Sequence, residues 1–130
     1  MTFVDSSALL AAIDSAEQQH HVAAQAWREL LLNDEDLVTT SYVLVELLAL
    51  AQRRLGVAAV RILDTILSVV EIVWIDAEIH RVALSSVLAA GRRNLSLVDC
   101  ASFEVMRRRG IRTVFTLDGD FSDHGFRAIP

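Results

Sequence analysis

Lysine is absent from the 130 residues: all 12 basic side chains are arginine. Proline occurs once, as the last residue, and glycine five times. With so few breakers there is no linker, low-complexity stretch or internal repeat, and residues 1–130 read as a single domain. One cysteine, Cys100, excludes an internal disulfide and a cysteine-based zinc cluster. No apolar run approaches the ~20 residues of a spanning helix. The longest candidate, Val43 to Ala51, is interrupted by Glu46. The opening MTFVDSS has no basic region and carries an acid at position 5, so no signal peptide is expected and the cytoplasm is the expected location.

Hydrophobic residues make up 53% of the chain and charged residues 22%, a folding rather than a disordered composition. A net charge of −5 argues against general nucleic-acid binding. Two considerations soften that argument. Carboxylates that hold metal ions count as negative until the ion arrives, and arginine grips phosphate in a bidentate way that lysine cannot.

The patterning alternates short β-prone runs with helical ones. Strands are expected at Thr2–Val4, Leu37–Thr39, Val69–Ile75, Thr113–Leu117 and Phe126–Ile129. Helices are expected at Ser6–Ala16, His20–Leu32, from Thr40 or Ser41 to Leu55, Val57–Leu67, Ala77–Ala90 and Ser96–Arg109. Such alternation predicts an α/β fold with a mainly parallel sheet. Sites in those folds form beyond the carboxyl ends of the strands. Asp5 and Asp118 both stand where a strand should end.

Four acids draw attention for different reasons. Asp5 follows Phe3-Val4 and suits a helix N-cap. Glu46 lies in VLVELLALA, with Tyr42, Val43, Ala49 and Leu50 at i±3 and i±4 and no basic partner. A carboxylate on an apolar stripe is costly unless it is paired, protonated or bound to metal. Asp99 fits a capping box with Ser96, yet a capping carboxylate keeps lone pairs for an ion. Asp118 ends an apolar run in Asp-Gly-Asp, which could be a turn; Asp120 is then a second acid nearby, in an outer shell, and Thr116 shares the side of Asp118 by strand alternation. As a set, oxygen-only ligands suit Mg²⁺ or Mn²⁺. Such ions can activate water and stabilise a leaving oxygen in phosphoryl displacement.

Other residues have plainer readings. Arg92 and Arg93 lead into the Asp99 helix and are candidates for phosphate contact. Arg107, Arg108 and Arg109 read as a helix end that favours the dipole. His20-His21 reads as a helix start, since adjacent side chains on a helix diverge. Trp27 and Trp74 read as core or interface, and Cys100 as a small buried residue.

The runs VDSSALLA, TTSYVLVELLAL, LSLVDCASFEVMRRRGI and TLDGDF, in that order, resemble the four acidic motifs of PIN domains, and most closely those of VapC toxins from VapBC toxin–antitoxin pairs. The resemblance covers essentially the whole chain. It implies a three-layer α/β/α sandwich and a Mg²⁺- or Mn²⁺-dependent endoribonuclease acting on RNA by a metal-activated water. It further implies an antitoxin partner and a homodimer. By motif, Asp5 and Asp99 are the principal metal ligands, Asp118 completes the metal-binding cluster, and Glu46 binds the ion directly or through water. Thr116, Asp120 and Ser6 stand around them; Ser6 is serine where the family often has threonine. Two other readings remain: a non-catalytic module gripping a partner's basic side chain, and a Mg²⁺-dependent phosphate-transfer domain. The latter chemistry generally wants a lysine near the phosphate.

Overall fold

The computed structural model describes residues 1–130. Five strands form one sheet in the order β3-β2-β1-β4-β5, with every neighbouring pair parallel. They are β1 (Thr2–Val4), β2 (Leu37–Thr40), β3 (Val70–Val73), β4 (Thr113–Phe115) and β5 (Arg127–Ile129). The helices are α1 (Ser6–Ile13), α2 (His20–Leu32), α3 (Ser41–Leu55), α4 (Val57–Ile66), α5 (Ala77–Ala90), α6 (Leu97–Arg109) and α7 (Asp120–Asp123). The expected parallel sheet is thus found, without an antiparallel member.

Strand alternation divides the core in two. Val4 and Phe115 point to one face, where α1, α2, α4 and the middle of α3 supply Leu9, Trp27, Leu63 and Leu47. Phe3, Val38 and Val114 point to the other, where α5, α6 and α7 supply Ala83, Phe103 and Phe121. Helices on both faces of a parallel sheet make a three-layer α/β/α sandwich. β1 is central, pairing with β2 on one side and β4 on the other. The chain winds from β1 through β2 to β3, then returns to place β4 and β5 beyond β1. The strand order therefore reverses between β1 and β4, and the carboxyl ends of these two strands are where a crevice is expected in such a sheet.

Boundaries differ from expectation where side chains compete with the backbone. α1 stops at Ile13 rather than Ala16, because the Asp14 carboxylate accepts the Ala16 amide at 3.0 Å and closes a turn. A short 3₁₀ turn, Leu67–Val69, delays β3 to Val70. β4 ends at Phe115 because the Thr116 hydroxyl accepts the Asp118 amide at 2.9 Å, starting a turn. α7 was not expected: four residues, three of them polar, carry no helical period, and only the fully buried Phe121 anchors it.

Trp27 is buried, but Trp74 is 71% exposed. Of the two expected places for Trp74, core or interface, the core is excluded, because β3 is an edge strand and Trp74 lies just past its end. Arg108 and Arg109 at the end of α6 pair with Glu104, Glu78 and Glu71. Cys100 is buried, and no helix is long and apolar enough to cross a membrane.

Candidate metal centre

Asp5 occupies the N-cap position of α1, directly after β1, yet makes no side-chain capping bond. Its carboxylate is only 3% exposed and turns across the sheet. Oδ2 accepts the Ser7 hydroxyl at 2.7 Å and the Thr116 hydroxyl at 2.7 Å. Each hydroxyl has one proton, and both are spent on Asp5. The hydroxyl oxygens accept in turn: Ser7 Oγ takes the Leu117 amide at 3.0 Å, and Thr116 Oγ1 takes the Asp118 amide. Asp118 Oδ1 then accepts the Asp120 amide at 2.9 Å. One buried carboxylate thereby fixes the β4–α7 turn that carries Asp118 and Asp120.

Glu46 reaches the same place from α3. It is half-buried, and its Oε1 accepts the Ser6 hydroxyl at 2.6 Å. The α3 helix is placed by Thr40, which caps it through the Val43 amide at 3.2 Å, and by Thr39, whose hydroxyl donates to Val4 O at 2.6 Å and ties β2 to β1. Asp99 comes from the first turn of α6. Its capping box with Ser96 is complete: the Asp99 amide donates to Ser96 Oγ at 3.0 Å and the Ser96 amide to Asp99 Oδ2 at 3.3 Å. Capping holds the carboxylate rather than consuming it.

Electrostatics ties the four acids together. Burial foremost, with the charges of Asp5 and Asp118 adding to it and the hydrogen bonds from Ser96 opposing it, pushes the Asp99 carboxyl up to about 6. Burial also raises Asp5, against its hydroxyl partners, with Glu46 adding repulsion. Carboxylate oxygens of Asp99, Asp118 and Asp120 can all lie within 4.8 Å of one another. Asp120, expected in an outer shell, thus stands in the same tight group as Asp99 and Asp118, and Asp5 is near enough for its charge to act on Asp99. The basic group at this cluster is Arg92, whose Nη2 lies 3.4 Å from Asp120 Oδ1 across an exposed pair. Arg93 is exposed on the same α5–α6 loop.

The residues fit a divalent ion. Every donor is oxygen, the carboxylates repel one another, and one exposed guanidinium is the charge set against them. Oxygen sets of this kind suit Mg²⁺ or Mn²⁺ rather than a thiophilic metal. Ser7 was missed by sequence reasoning, which singled out Ser6 alone. The doubled serine after a strand-ending acid was the available signal, since residues two apart in such a turn can share a hydrogen bond.

The largest concavity, about 580 Å³, lies at the opposite end of the sheet, around Asp34, Glu35, Asp36 and Glu71. Glu35 there is neutralised by the Met1 ammonium and Glu71 by Arg109. It has no connection with the carboxylates at the crevice.

Comparison with known proteins agrees with the geometry. The PIN domain family model matches residues 2–127. The chain is 33% identical to the 23S rRNA-specific endonuclease VapC20 of Mycobacterium tuberculosis, over 97% of this chain and 95% of that protein. The crystal structure of that protein, described as a sarcin-ricin loop cleaving toxin, superposes with a TM-score of 0.86 over the whole of both chains at 30% identity. Two more distant structures share the fold. VapBC2 from Rickettsia felis, bound to a promoter DNA fragment, matches with a TM-score of 0.68 at 16% identity, over 98% of this chain and 96% of that one. FitAcB from Neisseria gonorrhoeae matches with a TM-score of 0.70 at 16% identity, over 100% and 97%. A crevice of hydrogen-bonded carboxylates at the strand switch point, on a chain matched almost end to end, places this protein in the PIN-domain family, beside the VapC toxins.

Proposed function

We propose that this chain is a Mg²⁺- or Mn²⁺-dependent endoribonuclease and the toxin of a toxin–antitoxin pair. The observation that supports the reading is repulsion among acids from separate segments: Asp99 feels Asp5 and Asp118, Asp5 feels Glu46, and Asp99, Asp118 and Asp120 form one tight group, a strain that a divalent cation would relieve. The near full-length similarity to an rRNA endonuclease supports RNA as the substrate. The absence of lysine removes the usual phosphate partner of a phosphate-transfer domain.

Asp99 and Asp118 would hold the ion, with Asp5 completing the set and Asp120 within the same group. When bound, the ion supplies Lewis acidity and lowers the pKa of water. The remaining work belongs to the chain. Ser7 and Thr116 hold Asp5 in one orientation and, through Leu117 and Asp118 amides, keep the β4–α7 turn from shifting. Ser6 holds Glu46 at the crevice, where it can orient an attacking water. Arg92 and Arg93 flank the crevice and bring cationic surface to an incoming phosphate. In-line attack leaves 5′-phosphate and 3′-hydroxyl ends.

The partners follow from the same reading: an antitoxin that presents a basic side chain to the acidic crevice, and a second copy of the chain as a homodimer, both acting in the cytoplasm. Incubation of the purified chain with a panel of tRNA, rRNA and mRNA in Mn²⁺, with EDTA as control, tests the assignment. Cleavage in Mn²⁺ that stops in EDTA is expected; EDTA-resistant cleavage, or none on any RNA, would refute it.

A further inference from the structure

An open apolar groove of about 400 Å³ runs beside the acidic crevice, lined by Tyr42, Val45, Glu46, Leu97 and Val98. Its size falls in the range of small-molecule sites, about 300–1,000 Å³. Two of its walls are shared with, or lead directly into, the candidate centre. Glu46 closes one wall and also accepts the hydroxyl of Ser6, next in the chain to Asp5. Leu97 and Val98 form another and immediately precede Asp99 on α6. Val45, 66% exposed, leaves its apolar surface in solvent although it lies between residues that are not exposed.

The walls are held in place. Tyr42 is hydrogen-bonded through its hydroxyl to His80 Nδ1, and the two rings meet edge to face at 5.9 Å. The chain beyond β3 is tied beside Tyr42 by the Ile75 amide, which donates to Ser41 Oγ at 2.9 Å. Leu97 and Val98 are fixed by the capping box of α6. A pinned, mostly apolar slot opening onto a phosphate-processing crevice matches a group that is flat, apolar on its faces and covalently attached to phosphate.

We propose that this groove is a nucleobase subsite, which takes one unpaired base of the RNA next to the phosphate held at the carboxylates. The inference rests on the ribonuclease reading for the identity of that phosphate. The base packs against Tyr42, Val45, Leu97 and Val98, while Glu46 marks the boundary between the base and phosphate positions. Packing of this kind tolerates different bases, because every base has a π-face. The subsite requires the base to be unstacked, and so selects loops and single strands over duplex.

The test uses fluorescence anisotropy of labelled octa-adenylate, and of an octamer of abasic ribose phosphates, in Ca²⁺, which binds oxygen ligands as Mg²⁺ does. The variants are Val45→Asn, at an exposed position, and Leu97→Ala. The intact chain is expected to bind octa-adenylate roughly tenfold more tightly than the abasic octamer, in line with a base–side-chain packing contribution. Both variants should lose most of that margin while binding the abasic octamer as before. Equal binding of the two octamers by the intact chain, or an unchanged margin in both variants, overturns the subsite. Val45→Asn that dissociates a dimer by light scattering and leaves the margin intact assigns the groove to a second copy of the chain, and also overturns it. Cleavage in Mn²⁺ is read in parallel on the same proteins. A base margin without cleavage defeats the nuclease reading and leaves the subsite standing, whereas cleavage without a margin does the reverse.

Discussion

Replacing Asp99 by Asn should stabilise the metal-free protein while abolishing its activity. Asp99 is half-buried and lies close enough to Asp5 and Asp118 to feel their charges. Its carboxyl moves from an ordinary 3.8 to about 6. At about 1.4 kcal/mol per pH unit, the unscreened cost of ionising it in the fold is about 3 kcal/mol. Partial exposure screens much of this, leaving about 1 kcal/mol. The sign follows from proton binding. Between 3.8 and about 6 the folded chain holds a proton that the unfolded chain has lost, so stability falls as pH rises through that window. Below it both states are protonated and the penalty is absent. Asparagine keeps an oxygen to accept the Ser96 amide, so the capping box survives. Thermal unfolding in EDTA should therefore show Asp99→Asn melting about 3 °C above the native chain at pH 7.5. The two should converge near pH 4. Saturating Mn²⁺ should stabilise the native chain and not the variant, by ligand linkage. A variant that melts lower at pH 7.5, or whose gain is the same at both pH values, would refute the reasoning.

Other consequences can be measured on the same preparations. Thr116→Val removes the hydroxyl that donates to Asp5 and accepts from Asp118, and should cost about 2 kcal/mol in chemical denaturation together with most of the RNA cleavage; full stability would show that the relay is not formed. Because protons and metal compete for Asp99, the Mn²⁺ dissociation constant by calorimetry should rise as pH drops below about 6, approaching tenfold per pH unit; a flat profile would contradict that competition. Acrylamide should quench one tryptophan readily and the other poorly, with Trp74→Ala removing the accessible component at no cost in stability.

Much of the fold was readable because its signals are local. Thr40, Ser96 and Gly110 mark helix ends by side-chain chemistry and by a left-handed φ of 66° at Gly110, and the helices they bound fall where periodicity put them. The strands β1 and β4 are apolar runs ending in an acid or a hydroxyl, and the parallel sheet follows from the alternation. What escaped depends on tertiary position. Trp74 sits in an apolar sequence context, and only the strand order reveals that β3 is an edge. Thr116 meets Ser7 across 109 residues and Asp5 across 111, so no spacing rule could join it to Asp5. The candidate site was legible as a set of acids and not as a geometry. Asp5 looked like a cap and makes no capping bond, whereas Asp99 looked like a cap and is one. Asp120 read as a nearby acid of an outer shell, and the short α7 turn, invisible to periodicity, puts it in one group with Asp99 and Asp118.

Anomalous diffraction from a crystal soaked in Mn²⁺ tests the central claim most directly. The account predicts a manganese peak at about 2.1–2.2 Å from carboxylate oxygens of Asp99 and Asp118, near the length of hard-cation oxygen bonds, and its loss in Asp99→Asn. A manganese ion bound elsewhere on the chain, or a peak that persists unchanged in that variant, would contradict it.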